Sequence, residues 1–488
     1  MKTAILGATA LALMSTSHMA LAANDLETMM DLAVRGMMAD GAEVSYDEKI
    51  VVDGSVEYRG LEIVNPVDEI KISTDWLRGT PSGDNETEVT FTLADTVTFE
   101  MLTEGLEKTV EMRTQGFALT TNAVLRDAMA TDDIYGAVSI DSLAISDGDD
   151  GEHLMLHDLE VLMQNVSANI KVSMEDRHVE GAAAFGDSEI VYDFSADSER
   201  QSGRQVSEPG RATFAFDFAD GEEETMMGYM MGQMSAFLNV TGGASVFDML
   251  VESPDMSMQM SGKQGDGTFN LSVSDATASI SGEADAFEFS VALESDMVPV
   301  PPFSISAEGM SMKIVAPMMA VEAPKEAVYA LSLNQFAVSE ALWAMIDPGQ
   351  EIPRDAAQLD IDLEALVMVN PMLAMQGAEP QEFIEIQTLD VNTILLSLAG
   401  AMVHAEGAMT FNNDGPMPIP NGTINVEAKG IMTLANTLVS LGLLDQMQAG
   451  MAMGMMMAFG QQGEEPDTFT SEIAFSQDGI MANGVPIQ

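Results

Sequence analysis

Residues 256–314 read MSMQMSGKQGDGTFNLSVSDATASISGEADAFEFSVALESDMVPVPPFSISAEGMSMKI, and this stretch decides the class of fold. Apolar and polar residues alternate along it, which places successive apolar side chains on one face of an extended chain. Turn residues at 265–267 (Gly-Asp-Gly) and a glycine at Gly282 predict that the chain reverses at these points. The stretch therefore predicts an antiparallel meander with one face in water.

Related phrases recur further along the chain. Residues 305–312 read ISAEGMSM, residues 403–409 read VHAEGAM and residues 426–432 read VEAKGIM. Their spacing is irregular, which indicates hairpin arms of one kind and not a solenoid. The predicted fold is mainly β, a β-rich α+β class of extended, curved antiparallel sheets with a few packing or capping helices.

Helical spacing occurs in a few segments. Residues 24–40 form an amphipathic stripe, and residues 226–240 are apolar at helical spacing. A short helix is predicted from Ser339 up to Pro348-Gly349, and residues 431–459 predict two helices around 442–445. We divide the chain into a signal peptide (1–22), an N-terminal β-rich region with a leading helix (23–200), a middle region (201–300) and a C-terminal β-rich region with Met-rich helices (301–488).

The first 22 residues have the features of a secretory signal peptide. Lys2 is followed by an apolar run from Ala4 to Met14, and Ala20 and Ala22 suit a signal peptidase. Cleavage is predicted before Ala23, which places the protein in the periplasm. No later stretch is long and apolar enough to predict a spanning helix. The chain lacks cysteine, so its stability must come from its core.

The charge balance restricts the partners. The chain has 19 Lys and Arg against 78 Asp and Glu, a formal net charge of −59. Nucleic acid and anionic membrane surfaces are disfavoured because both are bound through Lys and Arg. Scattered acids are typical of a solvated coat, although binding of cations or of a basic partner is an alternative.

Methionine is unusually frequent, with 42 residues, and concentrates in two segments at 226–234 and 447–457. Thioethers pack cores, adapt to apolar ligands of variable shape, and bind Cu(I). Helical spacing without interleaved histidine favours core packing, with apolar-ligand contact as the alternative. The candidate ligand contacts are Met226, Met230, Met234, Met447, Met451 and Met455. No cofactor is predicted.

Motifs for catalysis are not found. Thiol chemistry is excluded, and the chain contains no Gly-x-Ser-x-Gly elbow, His-Glu-x-x-His motif or P-loop. His153 and His157 stand beside an acidic run, but the run fits a turn between strands better than a calcium loop. We predict neither catalytic nor metal-binding residues.

The C-terminal third carries the most distinctive sequence. Residues 331–362 read LSLNQFAVSEALWAMIDPGQEIPRDAAQLDID, residues 389–411 read LDVNTILLSLAGAMVHAEGAMTF, and residues 469–484 read FTSEIAFSQDGIMANG. These residues resemble a family of exported alphaproteobacterial proteins catalogued among domains of unknown function under the number 2125. The resemblance implies an envelope location and no catalytic residues. The strand-rich pattern is also similar in architecture to large envelope proteins that shield lipids in a long β groove.

The predicted function is that of a non-catalytic periplasmic envelope or binding protein. The specific hypothesis is an apolar or lipidic ligand held in a β groove. Two alternatives remain open at this point: a secreted hydrolase of unrecognised type and a structural interaction protein.

Overall fold

The computed structural model describes part of the chain. Described are residues 26–27, 30, 43–52, 54–65, 70–82, 88–103, 106–122, 133–147, 158–196, 199–219, 221–295, 300–375, 377, 379, 383–415 and 418–487. The predicted signal peptide and the His153/His157 turn lie outside these residues.

Strands dominate the described residues, and every strand pairing given below is antiparallel, which confirms the predicted mainly β class. The strands are β1 (Glu43–Ser45), β2 (Glu48–Val52), β3 (Ser55–Asn65), β4 (Ile70–Pro81), β5 (Val89–Leu93), β6 (Thr96–Thr103), β7 (Leu106–Gln115), β8 (Ala118–Thr121), β9 (Ile134–Asp147), β10 (Asp158–Ser173), β11 (His178–Phe185), β12 (Ser188–Ala196), β13 (Glu199–Ser207), β14 (Gly210–Asp217), β15 (Ala236–Gly242), β16 (Ser245–Ser253), β17 (Met256–Gln264), β18 (Gly267–Ser274), β19 (Thr277–Ser295), β20 (Val300–Pro317), β21 (Ala320–Val338), β22 (Ala357–Val369), β23 (Ile384–Leu398), β24 (Ala401–Asn412), β25 (Ile419–Lys429), β26 (Gln461–Gln462), β27 (Thr468–Ser476), β28 (Gly479–Ala482) and β29 (Val485–Pro486).

The helices whose first and last residues the structure defines lie between strands. They are α1 (Glu222–Met230), α2 (Glu340–Ile346), α3 (Pro371–Met375), α4 (Ile431–Ser440) and α5 (Gln446–Phe459). The prediction of one helix over 226–240 is wrong beyond Met230. Gly232 has a φ of +70°, which ends the helical path, and the chain re-enters a sheet at β15.

The chain divides into two compact units. The first comprises Met1–Phe218 and Val240–Gln259, and the second comprises Ala219–Asn239 and Met260–Gln488. The predicted regional boundaries at 200 and 300 are not tested by this division and stay predictions.

The first unit has a well-packed core. Tyr58 and Leu61 from β3 and Leu77 from β4 are almost fully buried, together with Val89 of β5. Met30, in the helical part of the N-terminal region, is also fully buried and lies against Gly79. A Cβ on Gly79 would approach the Met30 sulfur to 2.4 Å, so the glycine makes room for this side chain.

The second unit is a meander of long strands. Each strand from β18 to β25 pairs with the next one along the chain, β25 then pairs with β27, and β27 with β28. Helices α4 and α5, called here the helical hairpin (residues 431–459), are inserted between β25 and β27. Local pairing of this kind explains why the alternation in the sequence is so regular.

The reversal predicted at Gly282 is wrong. Asp275 and Ala276 both have positive φ, near +50°, and form the two-residue turn between β18 and β19. Gly282 instead lies inside β19, opposite Phe269. The reversal predicted at 265–267 is wrong as well. Gly265 donates to the carbonyl of Ala286 and Asp285 donates to that of Asp266, while Gly267 lies opposite Ala284, so β17 and β18 follow β19 in the same direction.

Candidate functional site

The second unit has one continuous apolar face. Residues directly opposite each other in antiparallel strands share a face, so the register assigns every side chain to one side. Three adjacent rows of the apolar face are Ile280, Ile314, Tyr329, Leu363, Val391, Gly407, Ile424, Ile473 and Ala482; Met312, Leu331, Ile361, Ile394, Ala405, Val426 and Ser471; and Met310, Leu333, Leu359, Leu396, Val403, Ala428 and Phe469. Leu271 of β18 extends the first row beyond Ile280. Almost every residue in these rows is apolar, although the first and the last strand lie more than 200 residues apart in the sequence.

The opposite face is polar and acidic. Its members alternate with the apolar ones along the same strands and include Asp360, Asp362, Glu364, Asp390, Glu406, Glu427 and Glu472. A polar depression on this side is lined by residues that include His404, Glu406 and Glu427. The sheet therefore separates the acidic coat from an uncharged surface.

The apolar face is only partly shielded from water. Met310, Met312, Leu396 and Leu398 are exposed, and most of the remaining large members are half-buried. Within the described part of the second unit, the cluster of buried hydrophobic residues consists of Ala320, Val367 and Val369. A sheet in water normally buries its apolar face, whereas this one is large and accessible.

Two register irregularities preserve this face. The pairing shifts by one residue between Val391 and Ile394, and again between Leu333 and Phe336, where Gln335 has a φ of +50°. One extra residue in a strand would otherwise turn all following side chains to the other side. The apolar residues in the sequence change parity at the same points, so the face continues through the bulges.

The first Met-rich segment surrounds α1. Met226 is exposed, whereas Met230 and Met234 are half-buried, and Met234 packs on Gly228. A Cβ on Gly232 would lie 2.8 Å from the backbone of Ala276, so the segment lies against the β18–β19 turn. These three candidates are therefore located at the end of the sheet where β19 begins.

The second Met-rich segment is α5. Met447, Met451 and Met455 recur every four residues and are exposed by 73%, 63% and 57%, while Ala449 is buried. A Cβ on Gly430, just before α4, would lie 2.4 Å from the carbonyl of Gly400 in the β23–β24 turn. Since β23 begins at the sheet end where β19 begins, this turn lies at the opposite end. The structure thus separates the six candidate methionines into two groups of three, and their contact with a ligand stays a prediction.

The loop after α2, part of the distinctive sequence 331–362, is held together by hydrogen bonds to a buried carboxylate. Asp347 is fully buried, and its carboxylate accepts hydrogen bonds from the backbone N–H of Glu351 at 3.0 Å and of Ile352 at 2.7 Å. Arg354 forms an ion pair with Glu340 and donates to the carbonyl of Asp347. The hydroxyl of Ser440, at the end of α4, donates to the carbonyl of Thr437 at 2.7 Å and lies 3.3 Å from the Glu351 carboxylate, so the helical hairpin lies next to this loop.

The sequence did not identify the residues of the apolar face that lie outside the Met-rich helices as candidate ligand contacts. Met310 and Met312 of β20, and Leu396 of β23, lie on the apolar face and are exposed. Their alternation was visible in the sequence, but nothing local to them tells an exposed apolar face from a covered one. Among the described residues, no group of three or more His, Asp or Glu residues is arranged to hold a metal ion.

These features define a mainly β protein whose long-strand sheet has one acidic and one accessible apolar face. The chain belongs to the family described as an uncharacterized protein conserved in bacteria (DUF2125), whose model matches residues 241–487. No curated protein and no solved structure matches the chain. Among the described helices, none has the length and apolarity required to span a membrane.

Proposed function

We propose that this protein is an exported, non-catalytic binding protein of the bacterial envelope that holds an apolar or lipidic ligand against the apolar face. The observation that carries the proposal is the unbroken apolar register from β18 to β28 on a surface that water partly reaches. Burying such a surface under a ligand is favourable by about 25 cal/mol per Å² of apolar area.

The composition of the two faces supports this role. The acidic face keeps the protein in solution, while the apolar face offers aliphatic and thioether side chains with few groups that require hydrogen bonds. An acyl chain or another flexible apolar molecule suits such a surface because it requires no directional hydrogen bonds. Specificity would then come from shape and length and not from charge.

A ligand-uptake experiment tests the proposal. The chain starting at Ala23 is stripped of lipid and titrated with the fluorescent fatty acid cis-parinaric acid. We expect a saturable rise in fluorescence, and we expect Leu396→Glu to weaken binding at least tenfold because it places a charge on the apolar face.

Leu366→Glu is the matched control. Leu366 is 40% exposed and Leu396 is 46% exposed, but Leu366 lies on the acidic face of the neighbouring strand. The control should bind like the wild type. Equal loss in both variants, or a wild type that takes up no probe, would contradict the proposal.

The periplasmic location is part of the proposal and rests on residues 1–22. Osmotic shock of cells expressing the full chain should release a protein whose first residue is Ala23, as determined by N-terminal sequencing. Retention in the cytoplasmic fraction with Met1 intact would contradict it. Native mass spectrometry of the released protein should then reveal the mass of any bound lipid.

A further inference from the structure

The helical hairpin presents an unusual surface. Among the α5 side chains that the structure describes, Ala449, Met453 and Met456 turn inward, whereas Met447, Met451, Met455 and Met457 are exposed, as is Leu443 in the α4–α5 turn. Residues 430–463 contain a single charged residue, Asp445, in a chain that is 20% charged. A helix that is apolar all round yet largely exposed is not explained by packing in its own unit.

The single charge has a structural task. The Asp445 carboxylate accepts a hydrogen bond from the N–H of Met447 at 2.8 Å and so caps the start of α5. The exposed surface of the hairpin therefore consists of thioethers, aliphatic groups and small polar residues, with one carboxylate at its rim.

The hairpin is firmly attached to the sheet. Asp467, which precedes β27, accepts hydrogen bonds from the N–H groups of Met432 and Thr433 at the start of α4. The carbonyl of Phe459, at the end of α5, accepts from the side chains of Ser471 at 2.8 Å and Asn483 at 2.7 Å. Both ends of the hairpin are consequently fixed to the sheet.

The hairpin surface is continuous with the apolar face. Ser471 and Phe469 belong to two of the three rows, through their pairing with Val426 and Ala428. The side chain of Ser471 reaches the last carbonyl of α5, and a Cβ on Gly460 would contact the Cβ of Phe469 at 3.3 Å. The end of α5 thus lies at the edge of the apolar face, on its β27 side.

We propose that the helical hairpin docks on a zwitterionic lipid surface and so brings the apolar face next to the acyl region. The proposal rests on the proposed function, since it names the lipid bilayer as the source of the ligand. Apolar side chains at a helix surface bury themselves at the boundary between headgroups and acyl chains. A formal charge of −59 disfavours an anionic surface, which would repel the protein, and favours headgroups without net charge.

Vesicle flotation tests this inference. The chain starting at Ala23 is mixed with vesicles of pure phosphatidylcholine in 150 mM NaCl, and the bound fraction is measured after density-gradient centrifugation. We expect the wild type to float with the vesicles and the Met451→Glu/Met455→Glu variant to lose at least tenfold in its partition coefficient. Replacing half of the lipid by phosphatidylglycerol should weaken wild-type binding, most strongly at low salt.

Met231→Glu is the control because Met231 is an exposed methionine (49%) at the other end of the sheet and does not belong to the candidate ligand contacts. It should float like the wild type. Circular dichroism checks that all variants are folded, which their exposure predicts.

The outcomes separate this inference from the proposed function. A wild type that takes up cis-parinaric acid in solution but does not float contradicts the docking role alone. A wild type that floats but takes up no probe contradicts the proposed function and leaves membrane contact established. If sedimentation shows a dimer that Met451→Glu/Met455→Glu converts to a monomer, a second copy of the chain covers the hairpin and the docking inference is wrong.

Discussion

Glu57 is a charged side chain of the first unit with two guanidinium partners. It is buried, and its carboxylate accepts hydrogen bonds from Arg59 at 2.7 Å and from Arg78 at 2.8 Å. These hydrogen bonds, that of Arg59 first, lower the pKa of Glu57 below its ordinary value of 4.5, although burial acts in the opposite direction. A buried carboxylate with two guanidinium partners connects β3 to β4 next to the core.

Glu57→Gln should destabilise the protein by about 1–3 kcal/mol at pH 7, because hydrogen bonds to a charged group are lost or weakened. The depressed pKa means that this contribution is fully present above the pKa of the unfolded chain. It is lost as the pH falls through the lower pKa of the folded state. Urea unfolding should be measured for the wild type and for Glu57→Gln from pH 8 downwards. The difference between their free energies of unfolding should stay constant and become smaller only below about pH 4.5.

Glu62→Gln serves as the control. Glu62 forms an exposed ion pair with Lys71 on the neighbouring strand, and pairs of this kind contribute about 0–1 kcal/mol. If Glu62→Gln lowers the free energy of unfolding as much as Glu57→Gln does, the burial of Glu57 is not the cause of its contribution to stability.

Residue identity alone could not tell which methionines are buried. Met30 is fully buried against Gly79, whereas Met451 is exposed, and both lie in apolar segments with helical spacing. The difference arises from partners distant in sequence: Met30 meets a strand about 50 residues away, while α5 lies at the end of a sheet. Periodicity reports which face a residue is on, but not whether another element covers that face.

At the scale of elements, the strand alternation, the α4–α5 pair and the end of α2 before Pro348 were all predictable. Each depends on local pattern, turn residues or helix breakers. The bulges near Gln335 and between Val391 and Ile394 were not predicted, although the change of parity in the apolar pattern was available in the sequence. The cap of α4 could not be predicted, because Asp467 follows Met432 by 35 residues.

Asp467→Ala should loosen the helical hairpin. The substitution removes both acceptors for the first N–H groups of α4, and losing a helix cap costs about 1–2 kcal/mol. Hydrogen–deuterium exchange of residues 431–440 should become faster, while exchange in β3 and β4 stays unchanged.

Asp467→Asn is the informative companion variant. Asp467 has a φ of +53°, a conformation that asparagine also tolerates, and the amide oxygen still accepts one hydrogen bond. It should show an intermediate effect. If Asp467→Asn exchanges as slowly as the wild type while Asp467→Ala exchanges faster, backbone conformation and not capping controls the hairpin.

At the scale of the whole molecule, charge is the dominant feature. The net charge of −59 is carried by scattered acids, many of them on the acidic face of the second unit. Their mutual repulsion opposes the compact state and is screened by salt. The net charge follows from the sequence alone, but the placement of the acids on one side of a sheet required the register.

The melting temperature should rise when NaCl is increased from 10 to 150 mM, because the Debye length falls from about 30 Å to about 8 Å. Choline chloride should give the same rise, since the effect is screening and not specific cation binding. A melting temperature that does not change over this range would show that the acids do not strain the fold, and a rise with sodium alone would indicate bound cations.

Because the second unit is built hairpin by hairpin, the number of its strands sets the length of its apolar face. Neighbouring strands lie about 4.8 Å apart, so the nine spacings from β18 to β28 extend over roughly 43 Å. Inserting one further hairpin lengthens the face by about 10 Å and keeps both the chain direction and the separation of the two faces. Because each strand pairs mainly with its neighbours in sequence, duplication of a short segment of the gene is enough to change the length of the apolar face, and with it the length of the ligand that we propose.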